Sequence, residues 1–541
     1  MRHSESGSRY AFVMATKTPA ELIATISAGY TFTGSSIALG AAMVDGTVHP
    51  EAQVSLPLAM MNRHGLVAGA TGTGKTVTLH MIAEQLSTAG VPVFMADIKG
   101  DLTGLATAAE ASEKLTARTE ALGQQWESKA FPVEFLALGG NGNGVPVRAT
   151  ITSFGPILLA RVLDLNETQE SSLQLVFHYA DSKGLELYDL KDLRAVIQFL
   201  SSDEGKDDLK ELGGLSKATA GVILRNLITL DAQGLGEFFG MPEFDTAELL
   251  RIAPDGRGVI TCLELPSIQD KPLLFSTFLM WLLADLFRDL PEVGDVDKPK
   301  LVFFFDEAHL LFNGASKAFL TAITQTVRLI RSKGVGIFFV TQTPKDVPAD
   351  VLAQLANRVQ HALRAFTPDD AKALKATVST FPTSDYDLEE VLTSAGIGEA
   401  VVTVMNENGS PTPVALTRLR APGSVMGPSP EAAVQAVISA SSLLPSYGTA
   451  VDPVSAYEKL QTPPPAASTG PAVGTPLPPP PPPVELPAPS NDGGGIASDV
   501  IGALGGALGG GLKSMVRSMG TSLGRNLMRD MFGTAPRKRR R

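Results

Sequence analysis

Gly69-Ala70-Thr71-Gly72-Thr73-Gly74-Lys75-Thr76 is the stretch from which the rest of the chain can be read. It fits the spacing G-x-x-x-x-G-K-T at every fixed position, and it lies between an apolar run at Leu66 and a segment of helical pattern, Thr76–Ala89. Glycines at 69, 72 and 74 let the backbone curl with its N–H groups inward, and the helix that follows presents its positive end. Such a loop cradles the phosphates of a nucleoside triphosphate. Lys75 is placed to neutralise β- and γ-phosphate oxygens, and the Thr76 hydroxyl to bind Mg²⁺. The nucleotide-binding set is therefore Gly69 to Thr76 with Val77.

A phosphate loop alone implies binding; hydrolysis needs more. Leu301-Val-Phe-Phe-Phe-Asp306-Glu307 is an apolar strand ending in two acids. Asp306 at its tip is the second candidate metal residue, and Glu307 the candidate base for an attacking water. The bland alternative is an acidic helix start with Glu307 solvated. Val335–Thr341 is another apolar strand, followed by Gln342, which either meets the γ-phosphate or its water, or satisfies loop backbone. In Met95-Ala-Asp97-Ile-Lys99-Gly100-Asp101, the acids Asp97 and Asp101 either reach the nucleotide edge or a neighbouring subunit, or form a turn with solvated charges. His309 either touches the nucleotide site or is a packed histidine.

Working outward, the runs at Leu66, Val91–Asp97, Val133–Leu138, Gly258–Leu265, Leu301–Asp306 and Val335–Thr341 are short, apolar and bounded by Gly, Pro or charge. Helical patterns such as Thr76–Ala89 and Phe319–Ser332 separate some of them. That alternation predicts an α/β fold, a mostly parallel sheet with helices on both faces. The expected organisation is a disordered arm at 1–20, a first part of the core at 21–153, an all-helical insertion at 154–252 and a second part of the core at 253–450. A Pro-rich linker follows at 451–492, then a Gly-rich segment and basic amphipathic tail at 493–541. Thirteen of the 27 residues Pro463–Pro489 are proline, which predicts an extended spacer, and Leu512–Phe532 has the spacing of a short basic helix.

Composition narrows the class further. With 44% apolar and 19% charged residues, the 541-residue chain is a folded, core-rich body. The formal charge of −11 divides unevenly: residues 491–541 hold nine Lys or Arg against three acids, so the first 490 carry −17. That excludes a polycation wrapping nucleic acid with its whole surface. A single cysteine, Cys262, excludes disulfides and cysteine metal clusters within one chain and points to a reducing, cytoplasmic compartment. No secretory signal or transmembrane segment is expected; the most apolar run, Pro272–Ala284, is too short to span a bilayer.

Taken together, Gly69–Thr76, Asp97–Asp101, Phe305-Asp-Glu-Ala-His309 and Thr341-Gln-Thr-Pro344 resemble the HerA-like helicase branch of the HerA and FtsK ATPase superfamily, over roughly residues 20–450. The resemblance implies a RecA-like ATPase core, usually a hexameric ring, coupling ATP hydrolysis to movement on duplex DNA. It also implies an arginine acting on a neighbour's γ-phosphate, for which Arg328, Arg331 and Arg358 are the candidates. About 65 residues precede the loop, where archetypal members carry a β-barrel. A nucleotide-gated module that docks a partner or membrane through its tail is the alternative.

Overall fold

The computed structural model describes residues 17–268, 271–312 and 317–461. The residues before Lys17, the proline spacer, the Gly-rich segment and the basic tail lie outside the described residues. Within them, twelve strands form one mixed sheet: β1 (Ser36–Val44), β2 (Thr47–Pro57), β3 (Gly65–Ala68), β4 (Val93–Asp97), β5 (Val133–Leu138), β6 (Val145–Val147), β7 (Ile260–Glu264), β8 (Leu301–Phe305), β9 (Val335–Thr341), β10 (Asn357–His361), β11 (Glu399–Thr403) and β12 (Ala415–Leu419). Their spatial order is β2-β1-β12-β11-β10-β3-β9-β8-β4-β7-β5-β6. From β10 to β6 every pairing is parallel; from β2 to β10 every pairing is antiparallel.

The parallel strands are continuously apolar because both of their faces are covered. Phe303 and Phe305 of β8 enter one core and Phe304 the other; Ile337 and Phe339 of β9 part from Phe338 and Val340 in the same way. This is the two-residue alternation of a strand buried twice. The first core is roofed by the helices Pro272–Asp289 and Lys317–Ile330 and by a run of four helices, Ile151–Val162, Glu167–Ser182, Leu190–Ser201 and Lys217–Ala232. The second lies beneath the helices Pro19–Gly29, Lys75–Thr88 and Glu431–Ser439. No helix among the described residues is long and apolar enough to cross a membrane.

Two expected boundaries shift. Thr18 caps a helix beginning at Pro19, inside the stretch expected as an arm, because Thr18 and Glu21 form a reciprocal capping box. At the start of the stretch expected as linker, from 451, Ser455 Oγ instead bonds the buried Asp192 and the helix Ala456–Gln461 follows. The segments ahead of the phosphate loop and after β10 build the antiparallel wing β2-β1-β12-β11. Tyr30 pins the wing to its first helix, its hydroxyl donating to a backbone carbonyl at Val402 or Pro413.

Directly before β3, His64 bridges two elements: its Nε2 lies 2.7 Å from Val327 O and its Nδ1 accepts the Ile337 N–H at 3.1 Å. The proton therefore sits on Nε2, and burial pushes the ring's pKa down from 6.5 to about 4. A depressed histidine pKa gives stability that is present above pH 6.5 and lost as pH falls toward 4, about 3 kcal/mol in all. The stability difference between the native protein and His64→Leu, from denaturant melts, should accordingly shrink between pH 7 and pH 5. A pH-independent difference would show that the ring is not the neutral bridge described.

Candidate active site

β3 ends at Ala68 and the chain turns into the loop before the helix Lys75–Thr88. Three backbone bonds fix the loop: Gly69 N–H to Thr341 O at 3.1 Å, Ala70 N–H to Ala362 O at 2.8 Å, and Gly398 N–H to Thr73 O at 3.0 Å. It is thus pinned to the ends of both neighbours, β9 and β10. Gly72 and Gly74 take φ of 78° and 109°, the left-handed region open to glycine. Helical hydrogen bonding starts with Thr78 N–H on Gly74 O, which leaves the first-turn amides Lys75–Val77 without helical partners and available to an anion. The buried Lys75 folds back, its Nζ donating to Gly69 O at 2.7 Å and Ala70 O at 3.3 Å. Burial pulls its pKa down while Glu307 and Asp306 pull it up, and burial prevails. Thr76 is half-buried on the same turn; Thr71 and Gly72 are exposed.

Between β3 and β8 lies β9, so the loop and the acid pair are two strand spacings, about 10 Å, apart. The end of β9 sets that separation: Thr341 O holds Gly69 N–H, and Val340 O holds Ala308 N–H at 2.8 Å. Gln342, the next residue, is exposed at this edge between the two groups. Asp306 and Glu307 are each 5% exposed. Asp306 accepts the Glu307 N–H at 2.9 Å, and burial, reinforced by the Glu307 charge, pushes its carboxyl up to about 6. Glu307 has φ of 46°, uncommon for a residue with a side chain. Burial would raise its pKa, but pairing with Lys99 outweighs that and lowers it. Its Oε1 takes the Lys99 ammonium. Its Oε2 has no hydrogen-bond donor among the described residues; His309 Nδ1 lies 3.2 Å away but outside bonding geometry.

Asp97, expected at the nucleotide edge, is fully buried at the end of β4. Its oxygens accept the amides of Lys99 (3.2 Å), Gly100 (2.7 Å), Asp101 (3.2 Å) and Leu102 (2.8 Å). With its acceptors so occupied, Asp97 shapes the loop that carries Lys99. Asp101 begins the short helical turn Leu102–Ala106, its side chain making no capping bond. Arg328 and Arg331 are remote from their own chain's loop, whereas Arg358 pairs with Leu66 on the strand that leads into it. Arg331 and Arg328 precede β9, whose six residue steps put them about 20 Å from the phosphate edge. Arg358, early in β10, bonds Thr380.

Three residues belong to this edge without having been singled out. Lys99 lies inside the stretch Asp97–Asp101, and no periodicity tells which carboxylate a lysine meets. His361, fully buried, sits under Gly69 and bonds Thr78 Oγ1 at 3.0 Å through Nε2. Burial lowers its pKa to about 4, so the ring under the loop is neutral. Glu264 closes β7 opposite Asp97, pushed up to about 8 by burial and by Asp97 and Glu431.

The residues fit a divalent cation of the hard kind. Thr76 offers a hydroxyl and Asp306 a carboxylate, the oxygen donors that Mg²⁺ combines with water and substrate phosphates. Two adjacent buried carboxylates, beside which Lys99, Lys75 and His309 lie, also favour added positive charge. No cluster of three His, Cys, Asp or Glu among the described residues could hold a metal by itself, so the phosphates would complete the shell.

Phosphate loop, acid pair and intervening strand together define a P-loop ATPase. The chain belongs to the family described as "Helicase HerA-like C-terminal", whose family model matches residues 43–541. Among solved structures, the bacterial conjugative coupling protein TrwBdeltaN70 in its unbound monoclinic form is similar over 75% of this chain and 95% of its own, at 15% identity and a TM-score of 0.47. VirB4 of Thermoanaerobacter pseudethanolicus is similar over 72% of this chain and 97% of its own, at 14% identity and a TM-score of 0.45. A search of curated proteins gives no match.

Proposed function

We propose that this protein is a Mg²⁺-dependent ATP hydrolase that couples turnover to movement along duplex DNA as an oligomeric, hexameric ring in the cytoplasm. The observation that carries hydrolysis is Glu307: a buried carboxylate at the edge shared with the phosphate loop, kept ionised by Lys99, with one oxygen lacking a donor among the described residues. An orphaned buried acceptor is unfavourable by about 1–3 kcal/mol unless something completes it, and a water positioned for attack would do so. The loop amides and Lys75 hold the phosphates, and Gln342 orients the water from the strand between. Mg²⁺ on Thr76 and Asp306 supplies charge neutralisation at the β- and γ-phosphates.

Movement on DNA rests on membership of a helicase-like family, and assembly on the placement of the arginines. Arg328 and Arg331 lie at the far edge of the sheet from their own phosphate loop, so a role at a γ-phosphate falls to a neighbouring copy. ATP turnover measured with and without duplex DNA tests the coupling: DNA raises it several-fold at low salt, and the stimulation declines as salt screens the phosphates. If DNA neither binds at moderate salt nor alters turnover, the translocase reading gives way to a nucleotide-gated module that docks a partner or a membrane surface. Solution mass with a non-cleavable ATP analogue separates a ring from a monomer.

A further inference from the structure

Lys99 occupies one of the two oxygens with which Glu307 could act on water. Oε1 is paired with the Lys99 ammonium, so among the described residues only Oε2 is open, and the contact fixes which way the carboxylate faces. The lysine is not a loose surface cation that happened to land there. The four amide bonds to Asp97 close residues 99–102 into a fixed turn, and Gly100 completes it at φ of 80°. The turn sits on β4, next to β8, so Lys99 spans adjacent strand ends. Its side chain remains 44% exposed, so the ammonium keeps open donors on the solvent side, and the buried Lys75 lies within electrostatic reach of it.

Both cations of the site thus rest on protein oxygens: Lys75 on the carbonyls of Gly69 and Ala70, Lys99 on Glu307. A triphosphate brings a doubly charged terminal group to this edge, whereas a diphosphate stops one phosphoryl short of it. We propose that Lys99 is a positioning residue that clamps Glu307 in an idle state and transfers its ammonium to the terminal phosphate of a bound triphosphate, so that Glu307 is released only when there is a bond to cleave. The exchange trades one ion pair for another and moves no proton. It rests on the reading of ATP at the loop and Glu307 as the base.

The test uses the full-length chain, titrated by calorimetry with ADP and with a non-hydrolysable ATP analogue, with Mg²⁺ and with EDTA. Lys99→Ala lowers affinity for the analogue about 10-fold, as expected for loss of one charge-assisted bond, and leaves ADP affinity within about 2-fold. Glu307→Gln, which removes the competing charge, strengthens the analogue relative to ADP. Lys99→Arg restores the preference that Lys99→Ala loses, and between these two Lys99 variants kcat follows the same order. An unchanged analogue-to-ADP ratio in Lys99→Ala overturns the proposal, as does an equal loss for both nucleotides, which would mean that the lysine only supports the fold. If the native chain binds neither nucleotide, the ATPase reading itself fails, a result distinct from both.

Discussion

Glu307→Gln reduces ATP turnover about 10²–10⁴-fold while nucleotide still binds, the range expected when a positioned general base is removed. The substitution is a narrow one. Glutamine has the same shape, so the buried pocket at 5% exposure stays filled, and its carbonyl still accepts from Lys99. The left-handed backbone at φ of 46° is unchanged in its demands, because both side chains carry a Cβ. What is lost is the ability to accept a proton at Oε2, which has no donor among the described residues. Single-turnover hydrolysis, with binding measured separately, isolates that loss. Turnover within 10-fold of the native protein would remove Glu307 as the base and leave Asp306, its carboxyl already bonded to the Glu307 amide, as the group to examine.

Which parts of this site could be read in advance follows from how each part is encoded. The phosphate loop and acid pair are contiguous in sequence and flanked by strands buried on both faces. Runs such as Leu301–Phe305 and Val335–Thr341 are therefore plain, and each became a strand at those residues. Two strands of the antiparallel wing left no such signal. β12 alternates buried and half-buried residues, and β2 runs mostly exposed through Glu51 before burying Ala52, Val54 and Leu56, so neither shows an apolar run. β10, Asn357-Arg-Val-Gln-His361, is polar in composition although it lies in the middle of the sheet. Its polar side chains are spent locally, Asn357 on the carbonyls of Met60 and His64 and His361 on Thr78. Hydropathy cannot register a strand whose polar groups are satisfied by neighbours that come together only in the fold.

The acidic motif on β4 shows the same limit for chemistry. Asp97 and Asp101 stand at a strand end beside the nucleotide edge, and nothing in their spacing separates a ligand from a turn-former. Four amides converging on Asp97 decide the matter, and they make Lys99, the residue between, the one that reaches the acid pair.

Gly69→Ala abolishes nucleotide binding to the extent of about 100-fold or more in affinity, whereas Gly72→Ala in the same loop shifts it less than about 10-fold. A Cβ at Gly69 would stand 2.4 Å from His361 Cβ, 3.0 Å from Thr73 Oγ1 and 3.2 Å from the His361 carbonyl carbon. None of these can yield freely: His361 is fully buried at the end of β10, and its ring is bonded to Thr78. Relief has to come from the loop, whose Gly69 and Ala70 amides are pinned to Thr341 and Ala362 on either side. Moving it off those anchors withdraws the amides and the carbonyls on which Lys75 rests. At Gly72 a Cβ meets nothing within 4 Å, and only the positive φ of 78° opposes it, a penalty of about 1–2 kcal/mol. Calorimetric affinities for ADP on the two variants, with melts to confirm folding, read the difference directly. Equal behaviour at the two positions would mean that His361 does not support the loop, and that the close approach of β10 to the phosphate cradle is irrelevant to binding.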